Sequence, residues 1–382
     1  MKHIAFLIFF TVFFGIFLLG SWFVYSKGLQ ALHQTHYKTA FVWVFWGLTL
    51  SFILGQFLER GTPTQIGQII TYVGSFWLAI LWYLFIFVLI ISLLKITNHW
   101  FHYIPNTWVN TYFTGKNLFF GVSAITLLLV LYGHINAIMP RVVNIDINID
   151  KQGVQKNIKI ALVTDIHMGY IIGSRRVLKL VKLINAQNVD LVLFGGDLVD
   201  HNPLPVIKNN MGKYFNNLNP PLGKFAVTGN HEFIGKPDVS INYLSQFGIR
   251  YIRDTVIDVN GIILLAGRDD KDKKRFTGNA RMPINLLLKN IDKSKPIILI
   301  DHQPVEFDSV AKNGVDLMVS GHTHKGQFWP FGIITKKVFE LDWGLIKKGN
   351  THFYVSSGYG TWGPPVRIGN RPEIVILNLK LN

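Results

Sequence analysis

The sequence predicts a chain of two parts. About four membrane-spanning helices occupy residues 1–140, and an α/β domain, built as a mixed β-sandwich with helices outside it, occupies residues 141–382. Three observations carry this. Four apolar runs near the N-terminus reach bilayer-spanning length without one Asp, Glu, Lys or Arg. Beyond them, short apolar runs end in polar side chains that can hold a metal, most of them beside a glycine. Those runs alternate with helical patterns early and with hairpin signals late, which argues against one doubly wound sheet.

The apolar runs are Ile4–Tyr25, Phe41–Leu58, Ile69–Leu94 and Asn117–Ile138. Each is near or above the roughly 18–20 residues that cross a bilayer. Trp22, Tyr25, Trp43, Trp46, Tyr72, Trp108, Tyr112 and Tyr132 cluster near their ends, as interfacial aromatics do. The first run is too long for a cleaved signal peptide and lacks a small-x-small site. Ion pathways carry intramembrane charges, and these runs carry none, so the reading is an anchor rather than a transporter or channel. An even number of spans puts Met1 and the C-terminal domain on one side. Lys2, Arg60, Arg141 and Lys151 flank the membrane there, against Lys27, Lys38, Lys95 and Lys116 opposite. That count is a tie; the basic excess of the domain tilts the expectation to a multi-pass protein of the inner (plasma) membrane with a cytoplasmic domain.

The chain carries 38 Lys/Arg and 22 Asp/Glu, a formal charge of +16. Only six basic residues and one acid, Glu59, precede Met139, so 32 basic and 21 acidic residues give the remainder +11. The charge is dispersed and no recognition motif accompanies it, so nucleic acid is not an expected partner. Cysteine is absent, which excludes thiolate ligands; a metal here must use His, Asp, Asn or water.

In the second part, Val142–Ile149 alternates as a strand, and Asn157–Thr164 reads as a buried strand ending at Asp165-Ile166-His167. Arg175–Asn185 has helical spacing, with Lys179 and Lys182 on the polar face. Leu191–Phe194 is a buried strand that stops at Gly195-Gly196 and presents Asp197, with Asp200 shortly after. Lys224–Thr228 is a third strand, running into Gly229-Asn230-His231-Glu232. Asp238–Phe247 reads as a helix, Arg250–Arg253 as a strand, and Asn260-Gly261 as a hairpin turn between Val256–Val259 and Ile262–Ala266. The charged stretch Asp269–Arg275 reads as a solvated loop. Pro296–Ile300 ends at Asp301-His302, and Val315–Ser320 ends at Gly321-His322-Thr323-His324. Phe353–Ser356 and Glu373–Lys380 complete the strands.

Each polar block is weak alone: a Gly-Asn-His turn is often only a turn. Five histidines and three Asp/Asn at strand ends of one domain form a pattern that chance does not readily assemble.

Asp165-x-His167, Gly196-Asp197-x-x-Asp200, Gly229-Asn230-His231-Glu232, His302 and Gly321-His322-x-His324 resemble the full signature of the calcineurin-like metallophosphoesterases. The resemblance covers about residues 157–382. The stretches DLVLFGGDLVD, SGHTHKGQ and SSGYGTWGPPVRIGNRPEI are similar to a bacterial membrane-anchored branch of that family. Lys325 departs from it, standing where the branch often has Gly at the substrate mouth.

The resemblance implies a four-layer α/β/β/α sandwich with two divalent metal ions. One would be held by Asp165, His167 and His324, the other by Asn230, His302 and His322, and Asp197 would bridge them. The thiolate-free set suits Mn, Fe, Zn or Ni. His231 would be the catalytic acid near the leaving group, and Arg367 would reach the substrate phosphate; Asp200 and Glu232 read as supporting groups. The implied activity is hydrolysis of a phosphoester or pyrophosphate by a metal-activated hydroxide. Membrane spans and a basic domain point to a phosphorylated lipid or lipid-linked substrate in the bilayer, as for UDP-diacylglucosamine-type pyrophosphatases within the branch. The competing expectation is a non-catalytic membrane scaffold that keeps the fold and binds metal or lipid phosphate; it is disfavoured because no ligand position is substituted.

Overall fold

The computed structural model describes residues 2–33, 35–151 and 156–381. The chain divides into two compact units, Met1–Gly133 and His134–Asn382.

The first unit contains helices α1 (Lys2–Leu32), α2 (Lys38–Leu58), α3 (Gln65–Phe101), the short α4 (Asn106–Tyr112) and most of α5 (Gly115–Ile138). Four of these, counting α1 from Thr11, are long and apolar enough to cross a membrane. The first and third apolar runs end earlier than their helices, because helical hydrogen bonding continues through Lys27 in α1 and Lys95 in α3, whereas the second and fourth end with α2 and α5 at Leu58 and Ile138. Large side chains such as Leu19, Trp43 and Leu128 face outward, as lipid-exposed residues do. Inside, Phe17, Tyr25, Phe45, Phe52 and Trp77 pack together. A Cβ on Gly74 would collide with the Phe52 backbone, so glycine permits the close approach of α2 and α3.

The second unit contains twelve strands among the described residues. They are β1 (Arg141–Ile149), β2 (Lys156–Val163), β3 (Leu191–Phe194), β4 (Lys224–Ala226), β5 (Ile249–Tyr251), β6 (Thr255–Val259), β7 (Ile263–Gly267), β8 (Ile297–Ile300), β9 (Leu317–Ser320), β10 (Gly344–Lys348), β11 (Thr351–Val355) and β12 (Glu373–Leu381). Its helices are α6 (Ser174–Asn185), α7 (Leu204–Lys208), α8 (Asn230–Ile234), α9 (Pro237–Ser245), α10 (Lys273–Thr277), α11 (Ile284–Leu287), α12 (Phe307–Lys312) and α13 (Phe331–Val338). The strands form two six-stranded sheets, ordered β1-β12-β2-β3-β4-β5 and β10-β11-β9-β8-β7-β6.

Side-chain alternation along the strands builds the layers. Ile160, Leu162, Leu191 and Leu193 of the first sheet meet Leu265, Ile298, Ile300 and Val319 of the second in one buried layer. Their neighbours Ala161, Val163, Val192 and Phe194 face the other way, onto Val177, Leu180, Val181 and Ile184 of α6. Leu264, Ala266, Ile297 and Leu299 face out of the second sheet onto α11 and α12 through Leu287, Leu288, Phe307 and Val310. The order is helix, sheet, sheet, helix, the four-layer sandwich that the resemblance implies. Both faces of β3 and β8 are buried, which explains their continuous apolar runs.

Two features differ from the sequence reading. Asp269–Arg275 is a solvated loop only in part: Lys271, Lys274 and Arg275 are exposed, but Asp269 and Asp270 are buried, and Lys273 starts α10. Arg253 and Lys273 pair with Asp269, and Gln303 donates to Asp270, so local charge density concealed a tertiary network. β10 and α13 are additional elements; β10 is a half-exposed edge strand whose sequence, Gly-Leu-Ile-Lys-Lys, does not alternate apolar with polar, paired antiparallel with β11. Glu373 is fully buried at the start of β12, where Arg141, Trp343 Nε1, the Tyr354 hydroxyl and the Ser357 N–H all donate to it.

Candidate metal centre

Strand ends converge because β2, β3 and β4 run parallel, as do β7, β8 and β9, so their C-terminal loops open on one edge. Those loops carry Asp165 and His167, Asp197, Asn230 and His231, His302, and His322 and His324. Five of them, Asp165, His167, Asp197, His322 and His324, hold φ between 47° and 71°. This left-handed conformation is costly for residues other than glycine, and its concentration here marks strain held by the surrounding fold.

One group of donors is Asp165, His167 and His324; another is Asp165, Asp197 and His302; within each, the donor atoms lie within 4.8 Å of one another. His167 Nε2 and His324 Nε2 are 3.1 Å apart, with Asp165 Oδ1 3.4 Å from the latter. Asn230 Oδ1 sits 3.1 Å from His302 Nε2 and 2.9 Å from His322 Nδ1. Asp197 Oδ2 lies between the two groups, 3.2 Å from His302 Nε2 and 3.8 Å from His167 Nε2. Nitrogen lone pairs and carboxylate oxygens aimed at common points form a donor set that fits a pair of divalent cations.

Burial sets the protonation of three rings of this cluster; at His302 burial is outweighed by Asp197, which raises that ring well above its ordinary value. Burial lowers His167 to about 3 and His322 to about 4, and it holds His324 well below its ordinary value together with the nearby Arg367. These three rings are neutral at neutral pH, as metal ligation requires. Asp197 is held well below the usual carboxylate range: burial opposes this, but His302 and His231 outweigh it. His302 Nδ1 donates to the Gly195 carbonyl, which directs Nε2 toward Asp197 and Asn230.

His231 belongs to a third group, with His167 and Asp200, whose donor atoms also lie within 4.8 Å of one another. Its Nδ1 is 2.6 Å from Asp200 Oδ1, its backbone N–H donates to Asp197 Oδ1, and its ring meets His167 edge-on at 4.5 Å. Burial alone would lower its proton affinity, but Asp197 and Asp200 push it up to about 9. Because Nδ1 is committed to Asp200, Nε2 is the ring nitrogen available to a substrate. Sequence reading placed Asp200 among supporting groups without naming this pairing; the two residues are 31 apart, and no local pattern announces their contact. Glu232 is another such support. It accepts the backbone N–H groups of Asp197, Val199 and Gly229, clamping the loops after β3 and β4 together.

Arg367 occupies a different place from the one expected of a phosphate-binding side chain. It is fully buried, and its guanidinium donates to the carbonyls of Ser357, Gly358 and Gly360 and to His324 Nδ1. It packs behind His324 rather than opening on the crevice; an Arg after a Pro turn carries no local sign of which way it points. Lys325 does not reach a ligand either: its Nζ stacks 3.6 Å from the centre of the Trp343 ring.

Gly196 shows how tightly the loops are packed. Its φ is 91°, and a Cβ there would lie 2.6 Å from His302 Nδ1. Gly196→Ala is therefore expected to displace His302, costing at least about 1–3 kcal/mol of stability by overpacking and lowering metal affinity. Thermal unfolding and bound-metal analysis of the variant check this.

Comparison with known proteins agrees with the geometry. Residues 158–326 match the calcineurin-like phosphoesterase family. A protein of Aquifex aeolicus described as an uncharacterized metallophosphoesterase is 35% identical over 260 residues, covering 67% of this chain and 98% of that protein. A Helicobacter pylori protein of the same description is 36% identical over 63% of this chain and 64% of its own length. A transmembrane protein with metallophosphoesterase domain from Danio rerio is 31% identical over 67% of this chain and 61% of its own. The match thus spans less than two thirds of the latter two relatives. A strand-end His/Asp cluster, a four-layer sandwich and kinship over two thirds of the chain to a metallophosphoesterase agree: this membrane-associated chain belongs to the calcineurin-like metallophosphoesterases, metal-dependent phosphoester hydrolases.

Proposed function

We propose that residues 141–382 hydrolyse a phosphoester or pyrophosphate bond in a lipid or lipid-linked substrate, with UDP-diacylglucosamine-type pyrophosphate as the narrower candidate. The observation that carries the catalytic part is the Asp197 carboxylate lying between two groups of imidazole donors. Asp165, His167 and His324 would hold one cation, Asn230, His302 and His322 the other, and Asp197 would bridge them. When bound, two such cations, with Mn, Fe, Zn and Ni all suited to the ligands, would polarise the phosphoryl oxygens and lower the pKa of water. The protein supplies the rest. His231 offers Nε2 to the leaving oxygen, and Asp200 fixes that ring through Nδ1. Glu232 keeps the loops of Asp197 and Asn230 in register.

The substrate part of the reading rests on the four membrane-length helices and the domain charge of +11, which favours approach to anionic lipid on the cytoplasmic side. A deletion strain is then expected to accumulate a phosphorylated lipid, measured by lipid profiling. An unchanged profile, with purified full-length protein cleaving a soluble aryl phosphodiester but no phospholipid or nucleotide-linked lipid, overturns the substrate assignment. Bound metal without turnover on any phosphoester favours the scaffold reading instead.

Asp200→Asn tests the role of His231 separately. With a carbonyl in place of the carboxylate, kcat is expected to fall about 10–100-fold, with metal content unchanged. The loss should be larger for an alkyl than for a p-nitrophenyl leaving group, because only a poor leaving group depends on the acid. Equal losses on both substrates would remove the acid role.

A further inference from the structure

The second unit carries an apolar surface that its core does not use. Trp329, Ile333, Ile334, Val338 and Trp362 are each more than half exposed. Four belong to α13 or the residue two places before it, and Ile334 and Val338 stand one turn apart with Ile333 beside them. Lys336 and Lys337, in the last turn of α13, are exposed on the same short helix. Isolated apolar side chains on a surface need no explanation, but Trp329, Ile333, Ile334 and Val338 lie within ten residues around a lysine pair, and Trp362 is tied to the same stretch through Gln327.

Trp362 is joined to this region by hydrogen bonds. The Gln327 side chain donates to the carbonyls of Trp362 and Pro364 and accepts the Trp362 N–H, and the Gln327 carbonyl accepts the Ile368 N–H. The same 362–371 segment receives the last turn of α5, which lies in this unit. His134 Nδ1 is 2.7 Å from the Pro365 carbonyl, Asn136 donates to the carbonyls of Arg367 and Asn370, and Arg371 donates to the Met139 carbonyl. The patch and the end of an apolar membrane-length helix are therefore attached to one short segment of chain. Only Met139 and Pro140 separate α5 from β1, so a bilayer crossed by α5 lies within a few residues' reach of the domain.

We propose that the edge formed by α13 and the Trp362 turn lies on the bilayer surface, with Trp329, Ile333, Ile334, Val338 and Trp362 in the interfacial region and Lys336 and Lys337 on anionic headgroups. Tryptophan favours the headgroup level, branched aliphatics favour the acyl boundary, and each lysine near an anionic leaflet adds attraction. A protein partner fits less well, because lysine is depleted at the centre of protein interfaces. The proposal concerns a contact surface and stands whether or not the substrate is lipid-borne.

The absence of native cysteine makes the test direct. Full-length Ile334→Cys and Val338→Cys carry a nitroxide label in vesicles of phosphatidylethanolamine and phosphatidylglycerol. Leu286→Cys, at an exposed position on α11, serves as the comparison. Thermal unfolding and metal content verify that each labelled chain is folded. Labels at 334 and 338 are expected to collide severalfold more with dissolved oxygen than with an aqueous nickel chelate, and the label at 286 to show the reverse. Free access of the chelate to 334 and 338 overturns the proposal. So does shielding from both reagents, which would mean that protein, such as a second copy of this chain, covers the patch.

Discussion

Asp197→Asn is expected to lower kcat by at least about 10²–10³-fold, the cost of removing one preorganised charge-stabilising group. It is also expected to reduce bound metal below the wild-type stoichiometry. The substitution is nearly isosteric, and the amide keeps an oxygen to accept the His231 N–H that Oδ1 accepts now. What it loses is the negative charge and the lone pairs of Oδ2, the atom between His302 Nε2 and His167 Nε2. Two cations brought close together repel, and a shared carboxylate offsets that repulsion; a neutral amide does not. Elemental analysis of purified full-length protein, with turnover of an aryl phosphodiester, reads both effects. Wild-type metal content and wild-type turnover in the variant would remove Asp197 from the bridging position and the mechanism with it.

Arg367→Ala is expected to destabilise the second unit by at least about 3 kcal/mol, as leaving several buried carbonyls without donors does. The Arg367 guanidinium satisfies the carbonyls of Ser357, Gly358 and Gly360, all in the segment that precedes β12. Truncation leaves those acceptors buried without donors, at about 1–3 kcal/mol each before relaxation. Arg367→Lys is expected to recover little, because one ammonium cannot reproduce a planar fork reaching several carbonyls. Unfolding measurements on both variants read the stability loss. A substrate contact predicts the opposite signature: a folded protein of normal stability with a raised KM. That result would return Arg367 to the crevice and contradict its burial behind His324.

These two residues also mark how far sequence reading reaches. Asp197 was legible because its signal is local: a buried apolar strand, two glycines and one carboxylate, with metal-capable side chains likewise following β2, β4, β8 and β9, beside one glycine after β4 and β9. Backbone geometry at strand ends follows from short-range pattern, which brings out the metal-capable residues; the four-layer expectation came from the family resemblance. The membrane-length helices were legible for a similar reason, since uncharged length alone meets the requirement of the bilayer. Arg367 was not legible in this way. Whether a long cationic side chain turns to solvent, substrate or carbonyls depends on chain far away in sequence, here the loop of His324.

The sequence by itself determined the two-part organisation, the strand-end loops and the metal-capable residues in them, because hydrophobic period and glycine placement act over a few residues. Only the tertiary structure decided the rest: that Asp200 orients His231, that Glu232 binds three N–H groups of two loops, and that Asp269 and Asp270 are buried rather than solvated. Apart from the local Gly229–Glu232 bond, each of these is a polar contact across 31 or more residues or a burial that follows from one, such as Thr228 with Asp269 and Gln303 with Asp270. Such pairings are selected by how the two sheets and their loops close on one another, and a buried polar group takes whichever partner that closure brings within reach.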